Sequence, residues 1–106
     1  MRIEILYFDG CPNVTTTVER LKSVLAESGL DHPITSVRIG DRAAAQSTGF
    51  LGSPTIRING VDIEPSARSR KDFGLMCRRY AGDGTPSEAL IRRAIAEANK
   101  GGPLPE

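Results

Sequence analysis

The sequence predicts one α/β domain: a four-stranded mixed sheet flanked by three helices, in the order βαβαββα. Three observations carry that expectation. A β-branched and aromatic run at the N-terminus gives way to helical spacing at Gly10-Cys11-Pro12; Asn59-Gly60 separates two short apolar runs; and a periodic helix closes the chain.

Residues 2–8 are rich in β-branched and aromatic types and read as a first strand, which Gly10-Cys11-Pro12 breaks. From Asn13 onward Val14, Val18, Leu21 and Leu25 recur at spacings of three and four, which predicts a helix that Ser28-Gly29 stops. Cys11 therefore falls on a strand-to-helix turn. Ile34–Ile39 reads as a second strand, and Asp41 as the cap of a short helix through Ala43-Ala44-Ala45 that stops near Gly49. Thr55–Ile58 and Val61–Ile63 flank Asn59-Gly60, a pair suited to the two positive φ angles of a type I′ turn, so they read as a hairpin.

Thr85-Pro86-Ser87-Glu88 has the form of a capping box with Pro86 at the first helical position. Leu90, Ile91, Ala94, Ile95 and Ala98 then share one face of the last helix, which Gly101-Gly102 is expected to end. Between Pro65 and Gly84 no clean period is visible, and a connection of that length in a small domain is usually functional or partly disordered. It holds Cys77. The domain is expected over residues 1–100, with 101–106 as a flexible tail.

Composition narrows the function classes. The chain has 106 residues, 39% of them apolar, with no Trp, two Tyr and three Phe, so its single core must be aliphatic. Fourteen Lys and Arg against thirteen Asp and Glu give no reason to invoke nucleic acid or an anionic membrane. The first nine residues lack the apolar stretch and cleavage site of a signal peptide, so a cytoplasmic protein is expected, monomeric or weakly dimeric. Two distant cysteines do not make a secreted disulfide framework, and reduced thiols are the default.

Two local motifs carry a resemblance. Phe8-Asp9-Gly10-Cys11-Pro12-Asn13-Val14 places a cysteine between the first strand and first helix, and Gly52-Ser53-Pro54-Thr55-Ile56 precedes the hairpin. Together with the element order over residues 2–100, they resemble the thioredoxin-like superfamily. The segment Gly74-Leu75-Met76-Cys77-Arg78-Arg79-Tyr80 further resembles small members sometimes labelled as related to alkylmercury lyase. The resemblance implies a cis peptide bond at Pro54, lying against Cys11. It also implies a substrate-binding set of Pro12, Ser53, Pro54 and Thr55, in which the backbone before the cis-proline pairs with an extended thiol substrate. One departure stands out: the family's Cys-x-x-Cys is here Cys11-Pro12-Asn13-Val14, so the usual resolving thiol is absent.

The chemistry expected of Cys11 is that of a nucleophilic thiolate, because a helix N-terminus supplies partial positive charge and unsatisfied N–H groups. Asp9 opposes this if its carboxylate faces the sulfur. Cys77 reads equally well as a core residue after Leu75-Met76 or as a second thiol activated by Arg78 and Arg79, and it is the candidate to resolve a mixed disulfide. Asp9, Arg78 and Arg79 are thus candidate modulators. The run Arg68-Ser69-Arg70-Lys71-Asp72 with Arg78-Arg79 is a solvated face or a dock for an acidic partner such as glutathione. His32 is expected to be exposed and is given no role.

No cofactor motif, phosphate-cradling loop or Ser-His-Asp set is present, and two Cys with one His do not have structural-zinc spacing. Three readings follow. In the first, Cys11 acts on a disulfide, peroxide or glutathionylated partner, protein or small thiol, with Cys77 or an external thiol resolving the intermediate. In the second, Cys11 and Cys77 hold a soft metal or organomercurial, with Asp9 or Asp83 as a proton source. In the third, the fold is a non-catalytic interaction domain. Under the first, Cys11 is expected to alkylate faster than Cys77.

Overall fold

The computed structural model describes residues 1–80 and 83–99. The strands are β1 (Ile3–Tyr7), β2 (Ile34–Arg38), β3 (Thr55–Ile58) and β4 (Val61–Asp62). The helices are α1 (Val14–Glu27), α2 (Arg42–Thr48) and α3 (Glu88–Asn99), and a single 3-10 turn occupies Pro65–Ala67. This is the expected α/β arrangement, βαβαββα. The sheet order is β2-β1-β3-β4, with β1 parallel to β2 and antiparallel to β3. A parallel pair requires a crossover, and α1 supplies it.

The alternation of β1 sorts the core into two layers. Ile3 pairs with Ile58 and Ile5 with Ile56, so these four side chains share one face, all of them buried. Leu21, Val24 and Leu25 of α1 and Ile91, Ala94, Ile95 and Ala98 of α3 pack on that side. On the other side Leu6 joins Ile39, Ala45 and Phe50, so α2 covers the opposite face. Burying each of these large aliphatics contributes about 1.5–3 kcal/mol. The Arg92–Glu27 ion pair, which also links α3 to α1, is exposed and screened by solvent, so packing holds the two helices together.

The local signals act much as the sequence implies. Asp41 accepts the Ala44 N–H at 2.8 Å and so caps α2, while Gly49 ends that helix in the left-handed region at φ 70°. Asn59 and Gly60 take positive φ values of 56° and 81°, the turn that joins β3 to β4. Two boundaries differ. The buried face of α1 is Thr17, Leu21, Val24 and Leu25, with Val14 and Val18 only half-buried at its rim. The cap of α3 is Ser87, whose Oγ accepts the Leu90 N–H at 3.1 Å. Thr85 Oγ1 and the Pro86 carbonyl instead accept Arg20 Nη1–H from α1, at 2.7 and 3.0 Å, so Pro86 precedes the helix. The expected Gly101-Gly102 stop, the domain's end at residue 100 and the tail 101–106 lie outside the described residues.

Candidate functional site

Ser53, at the entrance to β3, organises the region around both thiols. It is fully buried, and the peptide bond that follows it, Ser53-Pro54, is cis. Its amide donates to the Met76 carbonyl at 2.8 Å and its carbonyl accepts the Arg78 N–H at 3.0 Å, forming a parallel bridge between Ser53 and Cys77. The same carbonyl oxygen accepts the Cys11 thiol at 3.7 Å, and Ser53 Oγ accepts the Phe8 N–H at 3.4 Å. The two cysteines, 66 positions apart in the chain, thus both neighbour one residue, Cys11 through its thiol and Cys77 through its backbone. Neither is in a disulfide; Cys11 is half-buried and Cys77 exposed.

The stretch without a clean period turns out to contain a short extended strip. Along it burial alternates: Cys77 and Arg79 are exposed, while Arg78 and Tyr80 are buried. Such a period of two is what an extended chain lying on a surface produces. Cys77 is consequently no core residue. Arg78 is also not part of an exposed basic patch; only 1% of its side chain reaches solvent.

Arg78 anchors the strip. Its Nη1 donates to Asp62 Oδ2 at 2.7 Å and to Thr55 Oγ1 at 3.0 Å, and its Nη2 donates to Asp62 Oδ1 at 2.8 Å and to Glu64 Oε1 at 3.0 Å. Burial works against this charge, but the hydrogen bonds and charges of the facing acids outweigh it, and the guanidinium is held above its ordinary pKa. Arg78 also lies over the Tyr80 ring, 4.5 Å from its centroid. Tyr80 in turn donates its phenolic hydrogen to the Pro54 carbonyl at 2.6 Å, and burial pushes its pKa upward.

The expected substrate-binding residues lie among these contacts. Ser53, Pro54 and Thr55 are all buried, and both backbone hydrogen-bonding groups of Ser53 are taken by the chain's own residues 76 and 78. Thr55 Oγ1 donates to the Gly52 carbonyl at 2.6 Å besides accepting from Arg78. The reason is elementary: backbone groups at the end of a buried strand need partners, and here the chain supplies them internally. Pro12 alone of the set is exposed.

Of the candidate modulators, Asp9 is turned to Arg38 at 2.6 Å on the exposed end of β2. Arg79 is exposed, Arg78 is engaged as described, and His32 is half-buried rather than exposed. At the start of α1 Asn13 takes helical angles and makes no side-chain cap. A Cβ built on Gly84 would collide with the Asn13 side chain, which shows how closely that turn packs against the helix start.

Sequence reasoning gave no role to Asp62 or Glu64, and named Tyr80 and Gly52 only as members of motifs. A signal did exist in the matched spacing of Asp62/Glu64 and Arg78/Tyr80, each two apart. Gly52, at φ 115°, is required by contact: a Cβ there would lie 2.9 Å from the Met76 carbonyl oxygen and 3.1 Å from Arg78 Cβ. Among the described residues no three His, Cys, Asp or Glu side chains are grouped to hold a metal ion, and no helix is long and apolar enough to cross a membrane.

Fold and site together define a class: a small α/β domain with two unpaired thiols set around one buried residue at a strand end. No known protein family, curated protein or solved structure matches the chain.

Proposed function

We propose that this chain is a cytoplasmic thiol-redox protein of the thioredoxin-like kind, in which Cys11 is the nucleophile and Cys77 the resolving thiol. One observation supports it above the others: the Cys11 thiol and the backbone of Cys77 both meet Ser53, one through its carbonyl and the other through a β-bridge.

In the first step the Cys11 thiolate attacks one sulfur of a partner's disulfide. A Cys11–partner mixed disulfide forms, and the second partner sulfur leaves as a thiolate that takes up a proton. In the second, the Cys77 thiolate attacks the Cys11 sulfur and the partner sulfur leaves as a thiolate, which takes up the proton that Cys77 gave up. The two cysteines are oxidised to a disulfide and the partner is reduced by two electrons. That closure needs Cα atoms about 4.4–6.8 Å apart. An external thiol attacking the mixed disulfide returns Cys11 directly to its thiol.

The test is turnover of a glutathionylated peptide by wild type, Cys11→Ser and Cys77→Ser. Cys11→Ser should abolish deglutathionylation, and Cys77→Ser should reduce it only partly when glutathione is supplied. The same pair of sulfurs suits a soft cation held by two thiolates. If wild type turns over no disulfide, yet binds mercury tightly and loses that binding in each single variant, the metal reading replaces this one.

A further inference from the structure

We propose a second binding site, independent of the thiols, for a small organic anion with an apolar body, in the cavity beside the β3–β4 hairpin. The cavity holds about 410 Å³, within the usual range for small-molecule sites. Neither cysteine nor Ser53 lines it. Arg57, Arg68 and Arg70 reach it from β3 and from the segment after the 3-10 turn, while Leu51, Val61 and Phe73 supply apolar wall.

The charge balance of this lining favours an anion. Arginine stays protonated at any physiological pH. Among the described residues the one carboxylate on the wall, Asp62, has both oxygens engaged by Arg78, and Oδ1 also accepts the Glu64 N–H. Its charge is therefore already answered from the protein side.

Arg57 is the centre of the proposal. Its Nη2 donates to the Thr48 and Gly49 carbonyls at 2.8 and 3.0 Å, which fixes the guanidinium plane at the C-terminal end of α2. Among the described residues it forms no ion pair, and its Nε–H and Nη1–H groups make no hydrogen bond. Capping the end of α2 accounts for one nitrogen of three.

The other walls are held in place. Arg68 Nε donates to the Asp62 carbonyl at 2.8 Å. Phe73 is pinned through its own carbonyl, which accepts Gln46 Nε2–H at 3.0 Å, and through the next amide, Gly74 N–H, which donates to the Phe50 carbonyl at 3.0 Å. Arg70 forks onto Asp72 at 2.6 and 2.9 Å at the surface, a solvent-screened pair that a ligand's acid group can replace. A planar acid suits these forks because a guanidinium grips a carboxylate through two parallel N–H···O bonds.

Naphthoate, naphthylmethanol and inorganic phosphate are the probes, followed by amide chemical-shift mapping of the whole chain. Naphthoate should saturate, with shifts centred on Thr48, Gly49, Val61 and Phe73. The neutral alcohol and phosphate should each bind about tenfold more weakly, since one lacks the charge and the other the apolar body. Arg57→Gln should weaken naphthoate by about tenfold, and the surface variant Arg70→Gln, which disturbs no buried group, by a few-fold. Alcohol binding as tight as the acid's, phosphate binding as tight as naphthoate's, shifts centred elsewhere, or unchanged affinity in Arg70→Gln would overturn the proposal. Blocking both thiols should leave these affinities unchanged, which separates this site from the redox reading.

Discussion

The guanidinium of Arg78 forks onto the carboxylate of Asp62 at 2.7 and 2.8 Å beneath the surface, and this pair ties the Cys77 strip to the edge of the sheet. Breaking such a buried pair from one side is more costly than replacing both partners, because Arg78 would keep Glu64 as its one remaining acid partner among the described residues. Asp62→Ala should therefore lose about 3–5 kcal/mol in urea unfolding, whereas the double variant Asp62→Leu/Arg78→Met should recover a large part of that loss. A single-variant loss below about 1 kcal/mol would mean the pair does not hold the strip.

Gly52 makes room for the same strip. Its φ of 115° is strained for any side chain, and a Cβ would press on the Met76 carbonyl that Ser53 binds. Gly52→Ala should cost about 2–3 kcal/mol and weaken amide-exchange protection at Ser53 and Arg78. Unchanged protection at those two amides would show that the strip is held without this close approach.

Tyr80 makes stability fall in alkali. Burial raises its pKa in the folded state above the unfolded value of about 10. The folded state thus holds the phenolic proton more tightly, and the stabilisation is complete below pH about 10 and is lost as pH rises from there toward the folded value. Tyr80→Phe should be less stable at neutral pH by about 1 kcal/mol, through loss of the bond to the Pro54 carbonyl, but its stability should decline less steeply above pH 10. Parallel pH profiles of the two proteins would remove Tyr80 from the account.

Exposure and chemistry make opposite predictions for the thiols. Cys77 is exposed and Cys11 half-buried, so access alone favours Cys77. The redox proposal requires the reverse order, because Cys11 lies just before a helix whose first turn has no side-chain cap. Mass-resolved iodoacetamide labelling of the folded protein should find Cys11 modified first at neutral pH. Labelling governed by exposure, with Cys77 first, would count against Cys11 as the nucleophile.

What the sequence determined by itself was whatever depends on neighbours along the chain. The Asn59-Gly60 turn, the Asp41 cap, the Gly49 stop and the helical spacing of Leu21, Leu25, Ile91 and Ile95 are local: backbone angles and one-face periodicity follow from residues within a turn or two. Cys11 could be placed at the strand-to-helix turn on the same grounds. Only the tertiary structure decided what Cys77, Arg78 and Ser53 do. Arg78 is a poor candidate for burial on its own, since a charge leaves water only when partners are waiting, and its partners Asp62 and Glu64 come from the far side of the hairpin. That long-range pairing turns Arg78 inward, and alternation then turns Cys77 outward beside the residue that Cys11 touches.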